Sequence, residues 1–264
     1  NYLDPIDDNS IIGSSQYGYF TQSFDGGFSS NGINANMNGE VAEWTTPIVA
    51  DYNNYGTFYI GYSNVMKSTD NGFSWAPISS FPIPGFADNE ISAMALSNSD
   101  PNVLYVGKRV RYEFGIPGVV YKTTDGGQNW NDVTLGVPDS LYYTCIEINS
   151  DDAGVAYISM AGFSAGNKVF RTTDGGLSWQ NISYNLPNLP INCIKNIPGT
   201  EMLLAGTDIG VYLLDSASSN WGIYGTGLPN VIVTDIEFND ALNKIYVSTF
   251  GGGIWETRLS DLVS

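Results

Sequence analysis

The sequence predicts an all-β protein built from repeated four-stranded antiparallel sheets, and three observations lead there. First, a motif of the form Ser/Thr-x-Asp-Gly/Asn-Gly-x-x-Trp recurs as STDNGFSW ending at Trp75, TTDGGQNW ending at Trp130 and TTDGGLSW ending at Trp179. Altered copies flank it: SFDGGFSS has Ser30 where Trp should stand, and LLDSASSNW, ending at Trp221, is one residue longer. The aspartates Asp25, Asp70, Asp125, Asp174 and Asp215 are spaced by 45, 55, 49 and 41 residues, and a period of about 40–50 is that of propeller blades and related arrays. Second, the intervals each hold four short apolar runs separated by Gly, Asn, Asp, Ser and Pro. Third, no stretch sustains helical periodicity.

Each motif reads as a stapled β-hairpin. In VFRTTDGGLSW (Val169–Trp179) an alternating run enters, Asp174 and two glycines turn the chain, and Leu177–Trp179 opens the return strand. The aspartate is expected to accept backbone N–H groups two residues on. Gly176, like Gly72 and Gly127, supplies the positive φ of the turn, and the Trp covers it. No reacting group stands here, so Asp25, Asp70, Gly72, Trp75, Asp125, Gly127, Trp130, Asp174, Gly176 and Trp179 receive structural roles.

Between the motifs the strands follow in order. The second unit gives Thr46–Asp51, Thr57–Gly61, Val65–Thr69 and Ser74–Ile78; the third Ile91–Leu96, Val103–Gly107, Val119–Thr124 and Trp130–Thr134. The fourth gives Cys145–Asn149, Val155–Ser159, Val169–Thr173 and Trp179–Ser183; the fifth Asn192–Asn196, Met202–Ala205, Val211–Leu214 and Trp221–Tyr224. The first unit shows only the tail of an inner strand at Tyr2–Asp4, and the last stops after Val231–Phe238, Lys244–Thr249 and Gly253–Arg258. The expected fold is a β-propeller of four complete and two partial blades, near 1–44, 45–88, 89–140, 141–187, 188–228 and 229–264. Open blade edges invite pairing, so residues 1–264 are read as the C-terminal part of a larger propeller, with a compact six-unit ring as the alternative.

Ten Lys+Arg against 27 Asp+Glu give a formal net charge of −17, and there is no His. That surface opposes nucleic acid, whose phosphates need a basic face, and anionic lipid. A run of roughly 18 apolar residues, which a membrane helix needs, is absent. The chain begins at Asn1 with no visible signal peptide, which reads as a mature secreted piece or a fragment. Abundant Asn, Gly, Ser and Tyr with few Lys point to a secreted or cell-surface setting. Cys145 and Cys193 occupy matching places in consecutive repeats. Such places on stacked sheets lie about 10 Å apart, beyond disulfide reach, so small buried thiols are expected, with a bridge as the alternative.

The three intact motifs resemble the BNR/Asp-box repeat family, which includes sialidases, endo-xyloglucanases, sortilin-type receptor propellers and photosystem assembly factors. The segments 162–192, AGTDIGVYLLD (205–215) and 228–259, with EWTTPIVAD, LYVGK and VYKTTDGG, are similar to sortilin-like propellers of secreted Bacteroidota proteins. That resemblance implies export by a type IX secretion route, with a sorting domain after the propeller. One departure is Gly251-Gly252-Gly253, where the family often carries an Arg between two glycines.

If the first strand of each blade lines the channel, the second-to-third loops and the inter-blade loops share its mouth, and the aspartate motifs lie opposite. A sialidase-like site needs three converging arginines, but the chain has four in all, Arg109, Arg111, Arg171 and Arg258, two of them on strands. FGIP at Phe114–Pro117 also lacks the Arg of the sialidase signature. A glycosidase needs two carboxylates roughly 5–9.5 Å apart; Glu40, Glu43, Asp88, Glu90, Glu113 and Asp208 are candidates, and no spacing singles out a pair. Zinc and iron are disfavoured without His, so no metal site or cofactor is assigned. Calcium is considered at Asp4–Asp8, Asp100 and Asp151-Asp152, against ordinary turn roles.

Two mouth features stand out. Lys108, Arg109 and Arg111 place three cations beside Tyr112 and Phe114, either salt-bridged to Glu113 or the Asp88/Glu90 loop or recognising an acidic ligand. Trp44, with Glu43, Tyr17 and Tyr19, is either a stacking platform or the buried start of a strand. The candidate ligand-binding set is therefore Glu43, Trp44, Arg109, Arg111 and Tyr112. Ser140 and Ser216 fit an Asp-Ser-apolar O-glycosylation pattern. The functional expectation is a non-catalytic secreted or surface module that binds glycan or protein, without nucleic acid or membrane insertion, as part of a longer chain or assembly. The alternatives are a xyloglucanase-like hydrolase and a structural repeat of a surface layer or fibre.

Overall fold

The computed structural model describes all residues except 1, 4–8, 34, 37, 38, 83–88, 216, 218, 226 and 260–264, with residues 2, 3 and 240 described by backbone alone. Two compact units divide the chain, residues 1–134 and 135–264, and each holds three antiparallel meander sheets. In the first unit the sheets are β1 (Tyr2–Leu3), β2 (Ile11–Ser14), β3 (Phe20–Ser23), β4 (Asn31–Ile33); β5 (Ile48–Ala50), β6 (Phe58–Gly61), β7 (Val65–Ser68), β8 (Ala76–Pro77); and β9 (Ile91–Leu96), β10 (Leu104–Lys108), β11 (Val119–Thr123), β12 (Asn131–Asp132). In the second they are β13 (Tyr143–Ile148), β14 (Ala156–Met160), β15 (Val169–Thr172), β16 (Gln180–Asn181); β17 (Ile191–Asn196), β18 (Leu203–Thr207), β19 (Gly210–Asp215), β20 (Asn220–Tyr224); and β21 (Val233–Asn239), β22 (Lys244–Thr249), β23 (Gly253–Arg258). The first unit of sequence, expected to be partial, thus forms a four-stranded sheet, because the two residues of β1 pair with Ile11 and Ile12. Only the last sheet has three strands among the described residues.

The second strands β6, β10, β14 and β18 are buried along their whole length. Burial on both faces turns an alternating pattern into a continuous apolar run, as in Leu104-Tyr105-Val106. The cores accordingly lie between successive sheets: Ile12, Phe20, Phe58, Ile60 and Tyr62 between the first two, Tyr157, Val169, Ile194 and Leu203 between the fourth and fifth. Close approach is bought by glycine at the end of the second strand. A Cβ on Gly206 would lie 2.6 Å from Val233 of the next sheet.

The aspartate turns join third to fourth strands. Asp174 Oδ1 accepts the Ser178 N–H at 2.9 Å and the Thr172 hydroxyl at 2.8 Å, while Oδ2 accepts the Ser178 hydroxyl at 2.6 Å. Thr172 Oγ1 in turn accepts the Gly176 N–H at 2.8 Å. The aspartate therefore reaches four residues ahead, not two as its sequence suggested, and the preceding hydroxyl caps the glycine. The same cage surrounds Asp70 and Asp125. It also surrounds Asp25, although Ser30 replaces the Trp. Donated hydrogen bonds hold the Asp25, Asp125 and Asp174 carboxyls at about 2 and lower that of Asp70. Asn71, at φ 59, occupies the left-handed position that Gly126 and Gly175 fill elsewhere, which Asn tolerates better than most residues.

The tryptophans of the motif precede the return strands, which are only two residues long in three sheets. Trp130 Nε1 donates to the Ile78 carbonyl of the preceding sheet at 2.9 Å, and Trp221 Nε1 to Ile182 in the same way. These indoles thus fasten one sheet to the last, where the sequence suggested only a cover for the local turn. Trp75 donates within its own turn, to Gly72. Cys145 and Cys193 are free thiols, and burial pushes the Cys145 thiol up to about 12.

Candidate binding face on the loops of residues 1–134

In an antiparallel meander the second-to-third connection and the segment entering the first strand lie at the same sheet end, opposite the aspartate turns. In residues 1–134 that end carries the connections 15–19, 62–64 and 109–118 and the described residues of the segments that enter β5 and β9. Glu43 and Trp44 precede β5, and Arg109, Arg111 and Tyr112 follow β10. The face brings Glu43, Trp44 and Arg109 together, while Arg111 pairs with Glu90 instead.

Glu43 is buried, and its Oε1 accepts Arg109 Nη1 at 3.1 Å while Oε2 accepts the Trp44 N–H at 3.2 Å. Trp44 is 57% exposed, so it is not the buried start of a strand. Its ring meets Tyr17 edge-on with centroids 5.2 Å apart, and its carbonyl accepts the Tyr17 N–H at 3.3 Å. Tyr17 sits at φ 58, ψ 41, a left-handed conformation costly for an aromatic residue and found where surroundings over-determine the backbone. Gly18 next to it, at φ 76, passes so close to Tyr62 that a Cβ would lie 2.4 Å from that ring, and the Tyr62 hydroxyl donates to the Gly18 carbonyl at 2.9 Å. The aromatic pair is therefore set on a fixed backbone.

Arg111 is bonded to Glu90, which is buried, and lies 3.4 Å from Glu113. Glu90 Oε2 has no hydrogen-bond partner among the described residues. The Arg109 N–H donates to the Glu90 carbonyl at 2.8 Å, Asn89 donates to the Arg109 carbonyl at 2.6 Å, and Arg111 and Ile116 close the loop with paired backbone bonds. Tyr112 and Phe114 project from its tip, both mostly exposed. The salt-bridged reading of this loop is the one observed. Lys108 differs from expectation: it is the buried last residue of β10, donating to the Ser63 carbonyl at 2.6 Å with its ammonium 5.2 Å from the Phe81 ring centroid.

The other acidic candidates are engaged locally. Glu40 accepts the Asn64 N–H at 2.7 Å and its amide at 3.0 Å. Asp208, in the second unit, accepts Asn192 at 3.0 Å, and Asp88 lies outside the described residues. Asp100, Asp151 and Asp152 cap turns through Asn102, Gly199 and Gly154, while residues 4–8 are outside the described set. Among the described residues no group of three His, Cys, Asp or Glu is placed to hold a metal, and no helix is long and apolar enough to cross a membrane. Ser140 is exposed; Ser216 lies outside the described residues.

One cluster carried no signal in the sequence. In residues 135–264 the adjacent first strands β13, β17 and β21 bring Glu147, Lys195 and Glu237 together, with Lys195 Nζ 3.0 Å from Glu237 and 3.9 Å from Glu147. Burial pushes the Glu147 carboxyl up to about 7 against the pull of Lys195. Burial, aided by Glu237, also raises Asp235 on the same strand.

No family model matches the chain, and no curated protein matches it in sequence. Its structure is similar to that of an ancestral GH74 enzyme, with a TM-score of 0.73 at 19% identity over 96% of this chain and 35% of that one. It is similar to the GH74 enzyme of Niastella koreensis, with a TM-score of 0.70 at 18% identity over 96% and 44%. YCF48 bound to D1 peptide gives 0.61 at 16% identity over 97% and 77%. The chain thus spans less than half of the GH74 structures. These likenesses, with the six successive meander sheets, identify the fold as an all-β propeller.

Proposed function

We propose that the chain is a non-catalytic, secreted or cell-surface propeller module of the Asp-box type that binds a neutral glycan on the loop face of residues 1–134. The observation that carries this reading is the exposed Trp44 ring held edge-on to Tyr17 beside the Glu43–Arg109 pair. An indole face is apolar and matches the C–H face of a sugar ring. The Arg109 guanidinium beside it is partly exposed and can donate to sugar hydroxyls, with the buried Glu43 holding it in place. A neutral ligand is favoured because both arginines already face carboxylates in a chain of net charge −17. Titration calorimetry against glucan, xyloglucan and mannan oligosaccharides tests it. Wild type should bind one class, and Trp44→Ala should weaken it at least about tenfold with unchanged thermal unfolding, as expected for a surface substitution. Absence of binding to every neutral glycan, or an undiminished Trp44→Ala, refutes the reading.

The GH74 enzymes among the structural neighbours support a second reading, a xyloglucanase-like hydrolase. Its weakness is that Glu43 and Glu90 each already accept from an arginine, whereas a glycosidase needs one carboxyl as proton donor. Release of reducing ends from xyloglucan would favour it. Hexose attached at Ser140 is a further proposal, checked by intact mass of the native protein.

A further inference from the structure

The altered hairpin of the fifth sheet builds something that the intact motifs do not. Its ladder runs on to Asp215 opposite Asn220, whereas the return strands of the second, third and fourth sheets are two residues long. Asp215 and Ser219 of this hairpin line a recess of about 60 Å³ against the fourth sheet, together with Tyr157, Arg171 and Tyr184. Glu201, between β17 and β18, completes the wall, its Oε1 3.3 Å from Arg171 Nη2. Arg171 and Glu201 also line a wider groove of about 380 Å³ with Asn149 and Asp151. All of these residues belong to the unit 135–264.

Two independent observations converge on the recess. The first is a pair of donors without acceptors. Tyr157 is buried, and neither its hydroxyl nor Arg171 Nε has a hydrogen-bond partner among the described residues. Burial raises the tyrosine above its ordinary value, so the hydroxyl keeps its proton. Buried donors almost always find an acceptor, and each exception needs a reason. The corresponding pairs of the second and third sheets, Tyr59 with Lys67 and Tyr105 with Lys122, hold an ammonium 5.1 and 5.0 Å from the ring centroid. In the fourth sheet the guanidinium stands 5.9 Å from the Tyr157 ring and reaches Glu201 instead. The second observation is backbone strain. Tyr184, 46% exposed, has φ 40, and Ser219 has φ 48. They are two of the five non-glycine residues with positive φ among the described residues, and such strain collects at ligand clamps.

We infer that this recess binds one residue of a neutral sugar, as a second site that does not rest on the loop face of residues 1–134. A sugar oxygen accepts from the Tyr157 hydroxyl and from Arg171 Nε, which supplies the missing acceptor. The ring lies against the exposed Tyr184, whose aromatic face suits its C–H groups. The remaining hydroxyls donate to Glu201 and Asp215, carboxylates that can only accept. An anion is disfavoured because those two carboxylates line the recess beside one guanidinium.

The probes are glucose, galactose, mannose and xylose, with a trisaccharide of each, titrated into the isotope-labelled 264-residue protein while amide shifts are read by NMR. At least one sugar should move the amides of Arg171, Tyr184, Glu201 and Ser219 saturably. Equal affinity for monosaccharide and trisaccharide would assign the site to a free or terminal sugar, and tighter binding of the trisaccharide to a chain; either supports the proposal. Tyr184→Gly, which removes the ring and suits a positive φ, should keep its circular dichroism and weaken binding at least about tenfold, as for other aromatic anchors. Glu201→Gln, at an exposed side chain, is the second variant and should also weaken binding, so the test stands whether or not Tyr184→Gly folds. Trp44→Ala should leave these shifts unchanged, which separates failure here from failure on the loop face. The proposal is overturned if no sugar moves these amides saturably, or if a folded Tyr184→Gly binds as tightly as wild type. It is also overturned if acetate or sulfate moves them and the sugars do not.

Discussion

The first and fifth third-to-fourth-strand hairpins each lost half of the repeated motif, and they lost opposite halves. At Ser23–Ser30 the Trp is gone, yet the Asp25 cage is complete, including the 2.8 Å bond from the Ser29 N–H and the 2.6 Å bond from its hydroxyl. At Leu213–Trp221 the two glycines are replaced and Asp215 instead pairs with Asn220 at the end of a longer ladder, while the indole still reaches Ile182. The motif is therefore two separable devices. Aspartate, hydroxyl and glycine shape one turn; the tryptophan, at Trp130 and Trp221, fastens one sheet to the preceding one.

That separation predicts an order of effects. Trp221→Ala should be the most damaging, about 3–5 kcal/mol as for other buried aromatic truncations, read from urea unfolding. A loss below about 1 kcal/mol would break the comparison. Asp174→Asn should cost less, because its turn is exposed, and its signature should be acid dependence. A carboxyl held at about 2 when folded and near its ordinary 3.8 when unfolded contributes stability that is complete above pH 4 and lost as pH falls towards 2. The variant should flatten that limb of the unfolding midpoint against pH; an unchanged limb would show that the cage contributes nothing.

Glu147 provides the opposite sign and sharpens the contrast between exposed and buried carboxyls. Its folded value near 7 lies above its ordinary 4.5, so its protonated form favours folding below about pH 4.5, and that contribution disappears as pH rises through 7. Glu147→Gln should remove this decline, with stability measured at pH 4.5 and 8. The smallest effect is expected for Ser30→Trp. Restoring the indole to a turn whose cage is already complete should shift stability by no more than about 0.5 kcal/mol, the range of ordinary surface changes. A larger gain would mean that a seat awaits it.

Local features were legible in the chain. Alternation located the strands of the second to sixth sheets within a residue or two but not β2, β3 and β4 of the first, and the hydroxyl, Asp and Gly spacing located the turns, because these depend on neighbours a few residues apart. Trp44, Glu43 and Arg109 were legible as candidates by type and loop position. Their arrangement was not: Glu43 and Arg109 are 66 residues apart, and nothing in either segment announces the pair. Lys108 was misread for the same reason. Next to Arg109 it looks like a loop cation, and only the stacking of β10 between other strands buries it.

What the sequence by itself determined was the all-β class, the repeat and the turn chemistry, since alternation and glycine placement act within one hairpin. Tertiary structure alone decided which indoles bridge sheets, which charges neutralise one another on the loop face, and that Glu147, Lys195 and Glu237 meet across three adjacent first strands. Those outcomes depend on side chains tens of residues apart meeting across stacked sheets, and the spacing of residues along a chain does not encode that distance.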